Sequence, residues 1–399
     1  MKKKILFVID SLICAGAEKS LVTLLSLLDY SKYEVDLQLF HYGGEFEPFL
    51  PQEVHLLHPL EYTCFAEKSI LAQIKDILCG KYFRFFIARL NFSLKLRLHK
   101  QANNIMKARL YWETVGSVIP QSKQKYDYAI AYAQGIPTFY VGDKITANKK
   151  YAWVNVSYRL MGKEKIYQYN FYKCFNSIVL VSDSAKNVFQ NIYPDLIEKM
   201  IVIWDILDYS FIKQLSQKDK SYTDGFLGDR IITVARLNKY QKGYDIALDA
   251  CNILKNRGIK FKWYALGKGG FRQEMEQYIK EHNLEDYFIL LGTTPNPYPY
   301  IKDAALYVQT SRHEGFGLSI AEARLLNIPV VTTEFDAVYN QMINGKNGLV
   351  VSQNPIAVAN AIEHILKDKN LYNSIVNYLK NEKKGNSEEI QKFYQLLDA

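Results

Sequence analysis

Short apolar runs alternate with stretches of helical spacing along nearly the whole chain, beginning at residue 5. Residues 5–9, Ile-Leu-Phe-Val-Ile, form an unbroken run rich in β-branched side chains, the pattern of a strand covered on both faces. A small-residue turn, Ala15-Gly16-Ala17, leads into Leu21, Leu24, Leu25, Leu27 and Leu28 at helical spacing, and residues 35–40 read as the next strand. Further strands are predicted at 126–132, 151–156 and 178–182, the last followed by Asp183 or Ser184 as cap of a helix over 185–192. The pattern restarts after the charged, turn-rich segment 216–229. There, strands at 231–234, 262–266, 288–291, 305–310 and 329–333 alternate with helices at 244–255, 271–282 and 318–326.

Strands alternating with helices of about three turns imply a parallel sheet wrapped by helices in each half, so the expected class is α/β with two Rossmann-like domains. The expected limits are 1–205 for the first domain and 206–375 for the second. A helical segment over 376–399, with a helix starting near Ser387, is expected to pack back toward the first domain. Ligands of such sheets sit beyond the carboxyl ends of the strands, so two domains facing each other would place one cleft between two sets of loops.

The chain's 399 residues suit two domains rather than one, and its formal charge of +9 suggests an anionic partner. Eight of those charges fall between Ile77 and Trp112, where there is no acid: Lys81, Arg84, Arg89, Lys95, Arg97, Lys100, Lys107 and Arg109. Aromatic residues (Tyr82, Phe83, Phe85, Phe86, Phe92) and Leu90, Leu94, Leu96 and Leu98 are interleaved with them. The segment, about 77–112, reads as a basic amphipathic insertion in the first domain. It suits an anionic membrane surface, each cation contributing ~1 kcal/mol and the aromatics entering the headgroup layer. A solvated helix face covering the core is the bland alternative. No motif supports nucleic-acid binding.

Five cysteines, scattered and without CxxC spacing, indicate neither a disulfide framework nor a zinc cluster and fit a reducing cytoplasm. Asp10 cuts the first apolar run too short for a signal peptide, and no window offers the ~18–20 uncharged residues of a membrane span. A peripheral protein at the inner face of the cell membrane is the expected location.

Three constellations carry candidate chemistry. In Ser311-Arg312-His313-Glu314-Gly315-Phe316-Gly317-Leu318-Ser319-Ile320-Ala321-Glu322-Ala323, glycines between a strand and a helix let backbone approach a ligand. The N–H groups that open the helix suit phosphate or sugar hydroxyls. Glu322, one turn inside, suits a ribose diol. In Val234-Ala235-Arg236-Leu237-Asn238-Lys239-Tyr240-Gln241-Lys242-Gly243, Arg236 offers a planar fork and Lys242 a mobile charge, together suited to a diphosphate. Gly16, in the first strand-to-helix turn, can bring bare N–H groups to a phosphate. Taken singly, each also reads as an ordinary turn or charged loop.

Together these motifs resemble the retaining, nucleotide-sugar-dependent glycosyltransferases of the GT-B fold, in the "glycosyl transferases group 1" family. The likeness rests on Arg236 with Lys242-Gly243, the Glu-x7-Glu pair Glu314 and Glu322, the closing Gly345-Lys346-Asn347-Gly348-Leu349, and Ala15-Gly16-Ala17-Glu18-Lys19, where the family's Gly-Gly-Ala-Glu has lost its first glycine. It implies that Arg236, Lys242 and Glu314 are catalytic, the two cations stabilising the departing nucleoside diphosphate. It further implies donor contacts from Gly16, Gly267, Thr293 in the 292–296 loop, Phe316, Gly317, Leu318, Ser319 and Glu322, and an acceptor-side position for Asn155. Many relatives carry Trp-x-His there, against Trp153-Val154-Asn155 here.

No Asp-x-Asp occurs, so no metal and no cofactor are expected, the nucleotide sugar being a substrate. The expected activity is transfer of a sugar from a nucleoside diphosphate to a glycan or lipid-linked acceptor, in bacterial capsule, exopolysaccharide or lipopolysaccharide synthesis. The alternatives are a nucleotide-sugar epimerase on a similar scaffold, or a non-catalytic protein that binds membranes or anions.

Overall fold

Seven parallel strands build the first sheet of the computed structural model, which describes residues 2–80 and 82–398. They are β1 (Lys3–Ile9), β2 (Tyr33–Leu39), β3 (Val54–Leu56), β4 (Lys125–Ala131), β5 (Thr146–Val154), β6 (Ser177–Leu180) and β7 (Met200–Val202), in the order β3-β2-β1-β4-β5-β6-β7. Ile5 pairs with Val35 on one side and Tyr128 on the other, so the first apolar run is a central strand. Helices cover both its faces and leave Ile5 to Ile9 at most 1% exposed.

The second sheet repeats the scheme with six parallel strands: β8 (Asp229–Val234), β9 (Phe261–Leu266), β10 (Phe288–Gly292), β11 (Leu306–Gln309), β12 (Val330–Thr333) and β13 (Gly348–Val351). Their order is β10-β9-β8-β11-β12-β13. In each sheet the strand order reverses beside the first strand, at β1/β4 and β8/β11, the place where such sheets take ligands.

Strands β3, β7 and β13 are not among the predicted elements, because three or four residues at or near a sheet edge carry too little periodicity. Strand β5 starts at Thr146, five residues before its apolar run, because Lys149 and Lys150 pair with β4 through backbone alone.

Two compact units result. The first takes residues up to Val181, then Ala185–Ile203 and the chain from Ile390, and the second takes Ser182–Ser184 and Trp204–Glu389. The second unit therefore runs past 375 to Glu389. Only the last helix, Ile390–Asp398, belongs to the first. Phe393 stacks on Phe7 with centroids 6.1 Å apart, Tyr394 lies on Tyr33 at 6.0 Å, and the Tyr151 hydroxyl donates to Leu396 O at 2.8 Å.

The helices of the first unit begin with α1 (Gly16–Ser26) and include, between β3 and β4, α2 (Glu61–Glu67), α3 (Ile70–Leu78), α4 (Phe83–Leu98) and α5 (Asn104–Val115). The basic stretch is thus a helical subassembly that starts earlier than 77. Its aromatics do not all point outward as expected. Phe85 packs edge-on against Tyr62 at 5.6 Å and Phe65 at 5.8 Å, and Phe92 against Tyr111 at 5.4 Å, so these rings fasten the subassembly internally.

Part of the positive charge is also neutralised by acids further along the chain. Lys95 reaches Glu113 at 3.2 Å, while Arg109, 4% exposed, holds Glu113 at 2.7 Å and Glu164 at 2.9 Å. Arg89 donates to the Ala66 carbonyl, and Lys81 lies outside the described residues. No helix among the described residues is long and apolar enough to cross a membrane.

Candidate functional site

Arg236, Gly267, Thr293, Glu314, Phe316 and Gly317 follow the carboxyl ends of β8, β9, β10 and β11, while Lys242 lies in a helical turn after β8 and Leu318, Ser319 and Glu322 lie in the helix after β11. After β8 the chain passes Arg236 and enters one helical turn, Lys239–Lys242, capped by Asn238 Oδ1, which accepts from the Gln241 N–H at 2.8 Å. Gly243 follows in the left-handed region at φ +63°, and a Cβ there would stand 2.0 Å from the Thr310 carbonyl oxygen. The turn is thereby pressed onto the end of β11. Thr310 Oγ1 donates to Lys242 O at 3.1 Å, the Arg312 N–H to Gln241 O at 2.8 Å, and the Arg312 guanidinium grips Asp245 through bonds of 2.9 and 2.8 Å. Burial pushes the Asp245 carboxyl up, but the Arg312 fork outweighs it and holds the group below its ordinary value.

This arrangement delivers Lys242 Nζ to Glu314, 2.6 Å from Oε1 and 2.7 Å from Oε2, with side chains only 13% and 9% exposed. Glu314 also accepts from Ser311 Oγ at 2.6 Å and Gln309 Nε2 at 3.1 Å. Sequence reasoning did not single out Gln309, although a glutamine inside the apolar run 305–310 is a signal that a buried polar partner exists. Arg236 stays exposed, with Nη2 donating to Gln241 Oε1 at 3.3 Å, so most of its fork faces solvent.

The helix Leu318–Leu325 starts on Gly317, left-handed at φ +89°, with no side-chain cap, so the N–H groups of Leu318 and Ser319 open the helix toward any bound anion. Phe316 is buried. Its carbonyl accepts from Gln341 Nε2 at 2.5 Å and its ring lies 6.0 Å from Trp204, while Ser182 Oγ donates to Gly315 O at 2.7 Å. Gln341 is set by Asn347 of the Gly-Lys-Asn-Gly-Leu motif, whose Nδ2 donates to Gln341 O at 3.0 Å. That asparagine is fully buried, so the motif organises the loop before the helix from behind.

Glu322 is 2% exposed and accepts from the Tyr298 hydroxyl at 3.3 Å, deeper than an open cleft position would suggest. The Gly267 N–H donates to Gly292 O at 2.6 Å, and a Cβ on Gly267 would fall 1.9 Å from Ala235 O, so only glycine lets the end of β9 pass this close to the loop after β8. Thr293 follows β10 and is exposed. In the same loop, Asn296 is tied to Leu215 O at 3.0 Å and Asp219 at 2.7 Å.

Gly16 and Asn155 belong to the first unit. Gly16 opens α1, exposed and without a side-chain cap. Asn155 follows β5, its Nδ2 donating to Tyr132 O at 2.7 Å, while its Oδ1 is buried without a hydrogen-bond partner. Asp10, at the end of β1, was not singled out by sequence. Burial, reinforced by the negative charge of Glu18, pushes its carboxyl up to about 7. Among the described residues no cluster of three or more His, Cys, Asp and Glu could hold a metal ion.

Residues 227–382 match the family described as Glycosyl transferases group 1. The chain is 30% identical over 132 residues to the putative colanic acid biosynthesis glycosyltransferase WcaL of Salmonella typhimurium, covering 31% of this chain and 32% of that one. It is 28% identical over 190 residues, 47% and 50% of the two chains, to an N-acetylgalactosamine-N,N'-diacetylbacillosaminyl-diphospho-undecaprenol 4-alpha-N-acetylgalactosaminyltransferase of Campylobacter jejuni. The matches thus span 32% and 50% of these relatives' length. Among solved structures, Anabaena HepE with UDP and glucose superposes with a TM-score of 0.67 at 18% identity, covering all of both chains. The chain therefore has the GT-B fold, and within it residues 227–382 are similar to the glycosyl transferases group 1 family.

Proposed function

We propose that the protein is a glycosyltransferase that moves a sugar from a nucleoside diphosphate to a hydroxyl of a glycan or lipid-linked acceptor, with retention of anomeric configuration, in the synthesis of a bacterial surface polysaccharide. The observation that carries this reading is the set at the carboxyl ends of β8 and β11. A solvent-facing Arg236, a Lys242 locked to Glu314, and an uncapped helix start at Leu318 are gathered in the region similar to this family. In this reading Arg236 and the helix N–H groups hold the diphosphate, and Lys242 shifts part of its bonding from Glu314 to the phosphate as negative charge develops on the leaving group. The two cations take the place of a metal, and no cofactor is required. Glu314 then faces the donor sugar, Glu322 the ribose, and Gly267 and Thr293 flank the nucleotide.

The activities of the relatives support a polyprenyl-diphosphate-linked or growing glycan as acceptor, and the UDP-glucose bound to HepE supports a nucleotide sugar as donor. The UDP in the HepE structure makes UDP the first nucleotide to test. The proposed location is the cytoplasmic face of the cell membrane, with the basic helices of the first unit on the anionic surface.

The test is calorimetric titration of UDP, GDP and their sugars without divalent metal, on the wild type and on Glu322→Gln, which keeps the volume of that buried side chain. Saturable binding of one nucleotide, weakened at least tenfold by the substitution, is expected. If none of these binds, or if binding demands a metal, the reading fails.

A further inference from the structure

Nine of the twenty exposed large apolar side chains among the described residues lie between Ile70 and Leu98. On α3 they are Ile70, Leu71, Ile74 and Leu78, exposed by 41–83%. On α4, Phe83, Ile87, Leu90, Leu94 and Leu98 recur at spacings of four, three, four and four residues, which is one stripe along a helix. The opposite side of α4 is already filled, because Ala88 is buried and Phe85 and Phe92 pack against Tyr62, Phe65 and Tyr111. The helix is therefore apolar on both sides, and its outer stripe is surplus to what the fold needs. Patches of this kind mark an interaction surface.

The charges beside the stripe identify what it meets. Lys75, Arg84, Arg97 and Lys100 are exposed, and none has an ion pair among the described residues. The one acid on α3, Asp76, is bound to Lys68 at 2.7 Å, and no acid occurs from 77 to 112. A face of exposed apolar side chains flanked by cations and without an unpaired acid complements a bilayer, which offers negative headgroups over a hydrocarbon interior.

We propose that the outer faces of α3 and α4 are a bilayer-docking surface, in which the leucine and isoleucine side chains of 70–98 enter the headgroup boundary and Lys75, Arg84, Arg97 and Lys100 bind anionic lipid. This deepens the membrane attachment proposed above: the outward side chains begin at Ile70, are aliphatic apart from Phe83, and are distinct from the inward rings of Phe85 and Phe92. It rests on the first unit alone, so it can fail while nucleotide binding in the second unit persists.

The test is co-sedimentation of the full chain with vesicles of phosphatidylcholine alone and of phosphatidylcholine with 30 mol% phosphatidylglycerol, an anionic content of roughly the order that gives a strongly negative surface potential. The wild type should partition at least tenfold better to the anionic vesicles. The triple variant Leu78→Gln, Leu94→Gln, Leu98→Gln, changed at side chains more than half exposed, should lose at least tenfold of that binding while keeping its circular dichroism and its nucleotide titration. Arg84→Gln with Arg97→Gln should remove the preference for anionic lipid. Equal partition to both vesicle types overturns the proposal, as does a triple variant that binds vesicles like the wild type. A wild type that ignores vesicles but dimerises in sedimentation, with the dimer lost in the triple variant, also overturns it, and assigns the face to a second copy of the chain.

Discussion

Lys242 and Glu314 are joined by two short bonds, Nζ to Oε1 at 2.6 Å and to Oε2 at 2.7 Å, across 72 residues of chain. With both side chains nearly buried, neither charge has water to fall back on, so removing one partner strands the other at a cost of up to ~3–5 kcal/mol. Lys242→Met and Glu314→Gln should each lower unfolding stability, and the double variant should lose clearly less than the sum. Denaturant unfolding of the four proteins checks this, and additive losses would mean that the pair does not couple.

Arg236 presents the opposite case, since its hydrogen bond to Gln241, at 3.3 Å, is on the surface. Arg236→Ala should change stability by no more than ~0.5 kcal/mol. Transfer from the nucleotide sugar should fall by ~10²–10³, the usual loss when one donor to developing negative charge is removed. Steady-state rates measured beside melting temperatures separate the two effects.

Gly243→Ala should damage the site through the backbone. The residue is left-handed, and the added methyl carbon would lie 2.0 Å from Thr310 O, so the 239–243 turn must lift off β11 and carry Lys242 away from Glu314. The strain is ~1–3 kcal/mol before any clash is counted. Reduced stability together with weakened nucleotide binding is the expected outcome, and a variant with normal binding would show that the turn tolerates the shift.

The stability of the first unit should depend on pH through Asp10, whose carboxyl is pushed by burial and by Glu18 from its ordinary 3.8 up to about 7. Below about pH 4 the acid is protonated folded and unfolded alike, and its neutral form is fully accommodated. As pH rises toward about 7 the unfolded chain releases the proton more readily than the fold does. Stability therefore declines across that window, by at most ~1.4 kcal/mol per pH unit for one proton. Asp10→Asn should flatten this part of the profile, which unfolding curves at pH 4.5, 6 and 7.5 would resolve.

Much of the architecture was legible in the residue order. The central strands, such as 5–9 and 231–234, announce themselves because a strand covered on both faces must be continuously apolar. The turns around Gly243 and Gly317 do so because positive φ selects glycine. Residue types and motif spacing marked the cations after β8 as suited to a diphosphate and the acids after β11 as ligand contacts, without pairing one with the other. Tertiary structure alone decided the rest. That Lys242 spends its charge on Glu314 while Arg236 does not depends on how two loops 72 residues apart are pressed together by Gly243 and Arg312, a contact that no local pattern encodes. Residues 77–112 show the same limit. Their composition marks the cations and apolar side chains, but helical spacing places apolar residues on both sides of α4, and only packing against Tyr62 and Tyr111 assigns Phe85 and Phe92 to the interior and leaves Leu90, Leu94 and Leu98 outside. Periodicity reports which side chains share a face, and burial is settled by what the rest of the chain brings against it.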